Sequence, residues 1–215
     1  MTWKAIGFNY SKDSCILAQY PRIFVENGKI GVKDILGRIV VPTLYNYIER
    51  KFIWGVFFYI VGIDKDFGVY NDDGKLIVPV KFRKIEFVKY DSNSEGFIGV
   101  KTFDDNLGLY SIDGKVIINP EYNDFTLCKK FVFADKIGVS DVYNYEGVKI
   151  LSSTQYKFIN YNGEIILHPT VTGKWKVYNK DGKSLQPGVE YEDFFMHDEF
   201  LSVKLNGHWK ILYSI

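Results

Sequence analysis

No stretch of this chain sustains the 3.6-residue apolar period of an amphipathic helix; apolar residues fall instead in short β-rich runs punctuated by Gly, Asn, Asp and Pro. The clearest instance is Phe67 to Pro79, Phe-Gly-Val-Tyr-Asn-Asp-Asp-Gly-Lys-Leu-Ile-Val-Pro. Asn71-Asp72-Asp73-Gly74 is a turn, because Asn and Asp bond their own backbone, Gly accepts positive φ, and a β-rich run lies on either side. The stretch predicts a β-hairpin. Pro79, with no N–H to give a ladder, is expected to end its second strand.

The same punctuation recurs along the chain. An aromatic or aliphatic residue plus Gly or Lys opens each unit, a turn Gly comes next, and a Pro follows five or six positions after that Gly. The copies are Ile30-Gly31, Gly37, Pro42; Phe67-Gly68, Gly74, Pro79; Leu107-Gly108, Gly114, Pro120; Tyr156-Lys157, Gly163, Pro169; and Trp175-Lys176, Gly182, Pro187. A degenerate opening copy runs from Trp3-Lys4 to Pro21, and the chain closes on Trp209-Lys210-Ile211-Leu212-Tyr213. Between hairpins an aromatic precedes another β run, as in Phe200 to Trp209, and Asn27-Gly28 and Asn206-Gly207 are two-residue hairpin signals that join one unit to the next.

This pattern predicts an all-β fold of three- or four-strand units in one domain, residues 1–215, with about five to six degenerate repeats. The hairpins are expected to form an open solenoid-like meander. The alternative is a closed irregular β-propeller, in which Trp209 to Tyr213 pairs near Trp3. Tyr70, Val78, Phe82, Leu109, Ile117 and Val177 are expected to be buried, and Gly74, Gly114 and Gly182 to have positive φ. Phe52 to Ile63 reads as one strand buried on both faces, while Gly138 to Thr154 reads as having lost the pattern.

These residues resemble the WG (KWG) repeats of bacterial proteins, whose pattern is roughly Lys-Trp-Gly-Phe-Ile-Asp-x-x-Gly-Lys-Val-Val-Ile-Pro, then Tyr-Asp, an aromatic and a Glu-Gly-Leu-Ala run. Ser94-Glu95-Gly96-Phe97, Asp113-Gly114-Lys115-Val116-Ile117-Ile118, Glu121-Tyr122-Asn123 and Lys180-Asp181-Gly182-Lys183 carry the resemblance. Only Trp3, Trp175 and Trp209 keep the opening Trp, each followed by Lys, and Trp54-Gly55 is placed in a later strand. The resemblance implies a repeat scaffold with no catalytic motif of its own.

Charge and composition narrow the partners. With 27 basic and 26 acidic side chains the net charge is +1, so there is no overall field to steer nucleic acid or an anionic membrane. The longest apolar run is far shorter than the roughly 20 residues of a membrane helix. Polar Ser11-Lys12-Asp13-Ser14 interrupts the first residues too early for a signal peptide, which predicts a soluble, cytoplasmic chain. Cys15 and Cys128 have no CxxC partner, so they form neither a disulfide framework nor a zinc site, and two reduced, buried thiols are expected in preference to a single bridge.

No catalytic constellation is visible, so no enzyme activity, cofactor or metal is expected. His168, His197 and His208 lack a second ligand at metal spacing, the glycines lie at hairpin turns and not before a helix, and no GxSxG elbow occurs. The expectation is a non-enzymatic protein-binding module, in its specific form an immunity or antitoxin-like protein that covers a basic toxin or effector. Its predicted contact surface joins Trp175, Tyr191, Phe194, Phe195 and Trp209 to the carboxylates Glu190, Glu192, Asp193, Asp198 and Glu199. Aromatics bury large rigid area at small entropy cost, and an acidic rim speeds association with a basic surface. The rival reading is a carbohydrate or cell-wall binder that stacks the same aromatics on sugar rings.

Overall fold

The computed structural model describes residues 21–92, 94–155 and 157–214. Over these residues the chain is entirely β, with no helix, in six antiparallel sheets of sequence-consecutive strands, none closed into a barrel. The first sheet holds β1 (Arg22–Glu26), β2 (Lys29–Lys33) and β3 (Ile39–Tyr45). The second holds β4 (Tyr47–Ile53), β5 (Val56–Ile63), β6 (Asp66–Asn71) and β7 (Leu76–Phe82). In the third are β8 (Lys84–Lys89), β9 (Gly96–Lys101), β10 (Leu107–Ser111) and β11 (Val116–Tyr122). The fourth has β12 (Asp124–Leu127), β13 (Phe131–Lys136), β14 (Val139–Asn144) and β15 (Lys149–Ser153). The fifth comprises β16 (Ile159–Tyr161), β17 (Ile165–Pro169) and β18 (Trp175–Asn179), and the sixth β19 (Asp193–Met196), β20 (Phe200–Leu205) and β21 (His208–Ser214).

One turn chemistry recurs in five sheets. Asp34, Asn71, Ser111, Asn144 and Asn179 each accept, through a side-chain oxygen, a hydrogen bond of 2.8–3.0 Å from the backbone N–H four residues on. That bond closes the loop and leaves the Gly before it at positive φ, as at Gly74 (82°), Gly114 (94°) and Gly182 (74°). The same glycines abut the preceding sheet, since a Cβ on Gly114 would lie 2.8 Å from Ile77 O and one on Gly182 2.8 Å from Ile150 O. Gly114→Val is therefore expected to cost at least about 1–3 kcal/mol, because a β-branched residue resists this φ and meets backbone besides. A urea midpoint unchanged from wild type would contradict the assignment.

The expected core residues are all buried, and the core is divided. Five hydrophobic clusters each join two consecutive sheets, first to second, second to third, and so on to fifth and sixth. Among the described residues no cluster joins the first sheet to the sixth. The expected pairing of Tyr213 near Trp3, the copy opened by Trp3 and the state of Cys15 lie outside the described residues. Cys128 is buried, and burial pushes its thiol up to about 12. An edge-on ring pair marks three of the seams: Tyr45 with Tyr70 (5.9 Å), Phe82 with Tyr110 (6.0 Å) and Tyr122 with Tyr143 (6.0 Å).

Several expectations are corrected. Pro42, Pro79 and Pro120 do not end strands; they lie inside β3, β7 and β11, the outer strands of their sheets. An edge strand tolerates a missing N–H on its open side, and register shifts accompany all three pairings. Phe52 to Ile63 is not one strand, because Trp54 (φ 54°) and Gly55 (φ 83°) turn the chain between β4 and β5. The Trp54 ring then packs on Gly96, where a Cβ would lie 2.0 Å from it. Gly163 belongs to the β16–β17 turn and Pro169 ends β17, so 159–169 is an inner hairpin and not a copy of Phe67 to Pro79, and Tyr156 lies outside the described residues. Asn27-Gly28 and Asn206-Gly207 do form two-residue turns at positive φ, but within one sheet each.

Gly138 to Thr154 keeps the pattern in altered chemistry. Gly31, Gly68 and Gly108 lie where a Cβ would come within 2.6–2.9 Å of the outer strand's backbone, and Asp141 takes that place in the fourth sheet. Its carboxylate is fully buried and accepts from Tyr122 Oη (2.6 Å), Lys149 Nζ (2.7 Å) and Ser152 Oγ. Ser152 and Ser153 stand where the other outer strands carry their proline.

Candidate functional site: the open face of the last sheet

Across the sixth sheet Phe195 pairs with Ser202 and Ser202 with Ile211, while Asp193 pairs with Lys204 and Lys204 with Trp209. These side chains share one face. The opposite face carries Leu201, Val203 and Phe194 into the cluster shared with the fifth sheet. Register shows what is unusual about the first face. Ile211 occupies the position of Val32, Val69, Leu109, Val142 and Val177, which are 0, 0, 0, 0 and 2% exposed beneath the following sheet. Ile211 is 65% exposed, Phe195 55% and Trp209 51%. Asp193, Phe195, Ser202 and Trp209 line a shallow depression of about 410 Å³ on this face.

Of the residues named from sequence, Asp193, Phe195 and Trp209 meet at this depression, while Phe194 packs into the core cluster behind it. Trp175 stands edge-on to Phe194 (4.6 Å) and is half-buried behind it. Glu190 accepts from Thr172 Oγ1 (2.9 Å) and pairs with Lys176 (3.4 Å), and these contacts, the Thr172 bond foremost, hold its carboxyl below the usual value. Glu192 accepts from Gly207 N, while Asp198 and Glu199 are exposed in the β19–β20 turn. Tyr191 is a correction. It is 1% exposed in the core, its backbone pairs with Trp175 and its hydroxyl donates to Gln186, so it is not part of a contact surface. Ile211 and Ser202 were not foreseen, because their role follows from register against the earlier sheets.

Elsewhere chemistry is sparse. No group of three potential metal ligands occurs among the described residues. His168 Nε2 lies 3.0 Å from Ser153 Oγ in a polar cleft of about 330 Å³, which Lys176 and Glu190 also line. Burial first, then Lys176, lowers the His168 pKa, and its ring tilts against Phe158 (4.9 Å). Ser153 is itself buried.

Residues 67–105, from β6 through β9 and the loop beyond it, match the WG containing repeat, the family the sequence resembles. No curated protein matches the chain. Among solved structures, Kluyveromyces lactis Hsv2 is similar at 10% identity over 92% of this chain and 72% of that one (TM-score 0.35). BBS1N in complex with ARL6DN, soaked with mercury, is similar at 13% identity over 89% and 73% (TM-score 0.30). The C-terminal WD40 domain of Sif2 is similar at 12% identity over 89% and 65% (TM-score 0.32).

Proposed function

We propose that this chain is a non-enzymatic protein-binding module and that its partner docks on the open face of the last sheet. The observation that carries the reading is the exposure of Ile211, whose counterpart in each earlier sheet is buried against its successor, together with exposed Phe195 and Trp209 on the same face. Large exposed apolar groups rimmed by polar ones mark interaction sites, and aromatic anchors supply most of the energy there. Residues 190–214 hold five carboxylates against two lysines, whereas the whole chain is near neutral. That imbalance suits a basic partner. In its most specific form the chain is an immunity-like protein that neutralises a basic toxin by covering it inside the cell.

The test is affinity capture from the native host, followed by titration of the captured protein. Phe195→Ala is expected to weaken binding by at least about tenfold while leaving the melting curve nearly unchanged, since the side chain is exposed. Affinity is expected to fall as salt rises. Retention on polysaccharide resin with no captured protein and no salt dependence would replace this reading by a carbohydrate binder.

A further inference from the structure

We propose that the seam between the fourth and fifth sheets binds a free α-amino acid with an uncharged polar side chain, held by Lys176 and Glu190. This small-molecule site goes beyond the reading above and does not depend on it.

One register position carries an aromatic in four sheets. Tyr45 pairs there with Ile30, Phe82 with Phe67, Tyr122 with Leu107 and Tyr191 with Trp175. These rings are 4, 1, 0 and 1% exposed. In the fourth sheet the same pair is Ser140 with Ser153. Across the first three seams the ring lies edge-on to Tyr70, Tyr110 or Tyr143. Tyr178 holds their place in the fifth sheet, and register sets Ser153 where the ring would be. His168, bonded to Ser153, stands where earlier sheets carry Val61, Val100 and Ala134. Its ladder partner Lys176 stands where they carry Gly68, Gly108 and Asp141.

Polar replacements from three strands thus meet at one seam, at a cleft of about 330 Å³ lined by Ser153, Gln155, His168, Lys176, Tyr178 and Glu190. Setting a hydroxyl and an imidazole where apolar groups would pack costs stability. Places where a sequence breaks its own packing pattern in this way are characteristically functional. Charge selects the ligand. Lys176 Nζ and a Glu190 carboxylate oxygen lie 3.4 Å apart, and the other four named residues bring no charge, His168 included, since burial and then Lys176 lower its pKa. A ligand with one charge would satisfy one member of the pair and repel the other. An α-amino acid carries its ammonium and carboxylate side by side on one carbon, so the carboxylate meets Lys176 while the ammonium meets Glu190, both through charge-assisted hydrogen bonds. Ser153, Gln155 and Tyr178 then offer hydroxyl and amide groups to the side chain, and the volume admits a molecule of glutamine's size.

The test is an NMR titration of the full chain with L-glutamine, read from the His168 ring resonances, which His168→Gln identifies among the three histidines. A saturable shift is expected. Binding should be at least about tenfold weaker for 4-carbamoylbutyrate, which lacks the ammonium, and for L-leucine, whose side chain cannot hydrogen-bond. Glu190→Gln and Lys176→Met, both at half-buried positions, should each weaken glutamine as much while the melting curve stays near that of wild type. No shift, or equal binding by either analogue or by either folded variant, overturns the proposal. An equal response to methyl glucoside gives the cleft to a sugar and overturns it too. A shift that appears only after Tyr156→Ala gives the cleft to the chain itself, with the same consequence. Phe195→Ala should leave the titration unchanged even where it abolishes partner capture, so the two readings fail separately; a shift lost in Phe195→Ala would move the ligand to the last sheet and sink the seam site.

Discussion

Phe82→Ala is expected to destabilise the protein by about 3–5 kcal/mol, the range for truncating a buried phenylalanine, measured as a shifted urea transition. Phe82 is 1% exposed, lies edge-on to Tyr110 across the seam between second and third sheets, and pairs with Phe67 within its own sheet. Stability in an array with a divided core is a sum of unit terms and nearest-neighbour interface terms. Hydrogen exchange should therefore speed up in β6, β7, β9 and β10 while β20 and β21 keep their protection. A uniform loss of protection that reached the sixth sheet would show one all-or-none unit and would defeat the nearest-neighbour account.

Asp141→Ala is expected to cost about 2–3 kcal/mol near neutral pH, because it removes the buried acid that exposed Lys149 pairs with and leaves Tyr122 and Ser152 without their shared acceptor. Burial alone pushes this carboxyl up, but hydrogen bonds from Lys149, Ser152 and Tyr122 outweigh it and hold the group below the ordinary aspartate value. A carboxyl held down in the folded state contributes fully above its unfolded value, near pH 4, and loses that contribution as pH falls through the folded value. The gap in stability between wild type and Asp141→Ala should then be widest at neutral pH and narrow as pH drops below about 4. Parallel urea midpoints for the two proteins across that range would show that the carboxylate is not ionised in the fold.

The parts of the architecture that were legible in the sequence are those where local chemistry and fold agree. Asn71 to Gly74 needs positive φ and a side-chain acceptor, and both are written in the residues themselves. The misreadings arose where tertiary contacts override local preference. Trp54 adopts a left-handed turn that no indole favours, held by packing on Gly96, Phe58 and Phe87. Asp141 replaces a spacing glycine, so a search for Gly lost the fourth sheet, although Asn144 and Gly147 still mark its turn. At the candidate site, Asp193, Phe194, Phe195 and Trp209 were visible as a coincidence of aromatics and acids. Composition did not separate Tyr191 from Phe195, because which of two aromatics faces the core depends on strand register, and that became readable only when earlier sheets supplied the frame.

Among the described residues every sheet is made from strands adjacent in sequence, and this bears on how the chain reaches its fold. A ladder partner such as Phe67 for Phe82 is close along the chain, so little loop-closure entropy stands in the way of each pairing, and low contact order favours rapid folding for a β protein. A sheet can form once its own strands have left the ribosome and can then serve as a template for the next. The open face at the end of the array is the surface on which the following step of such growth would occur.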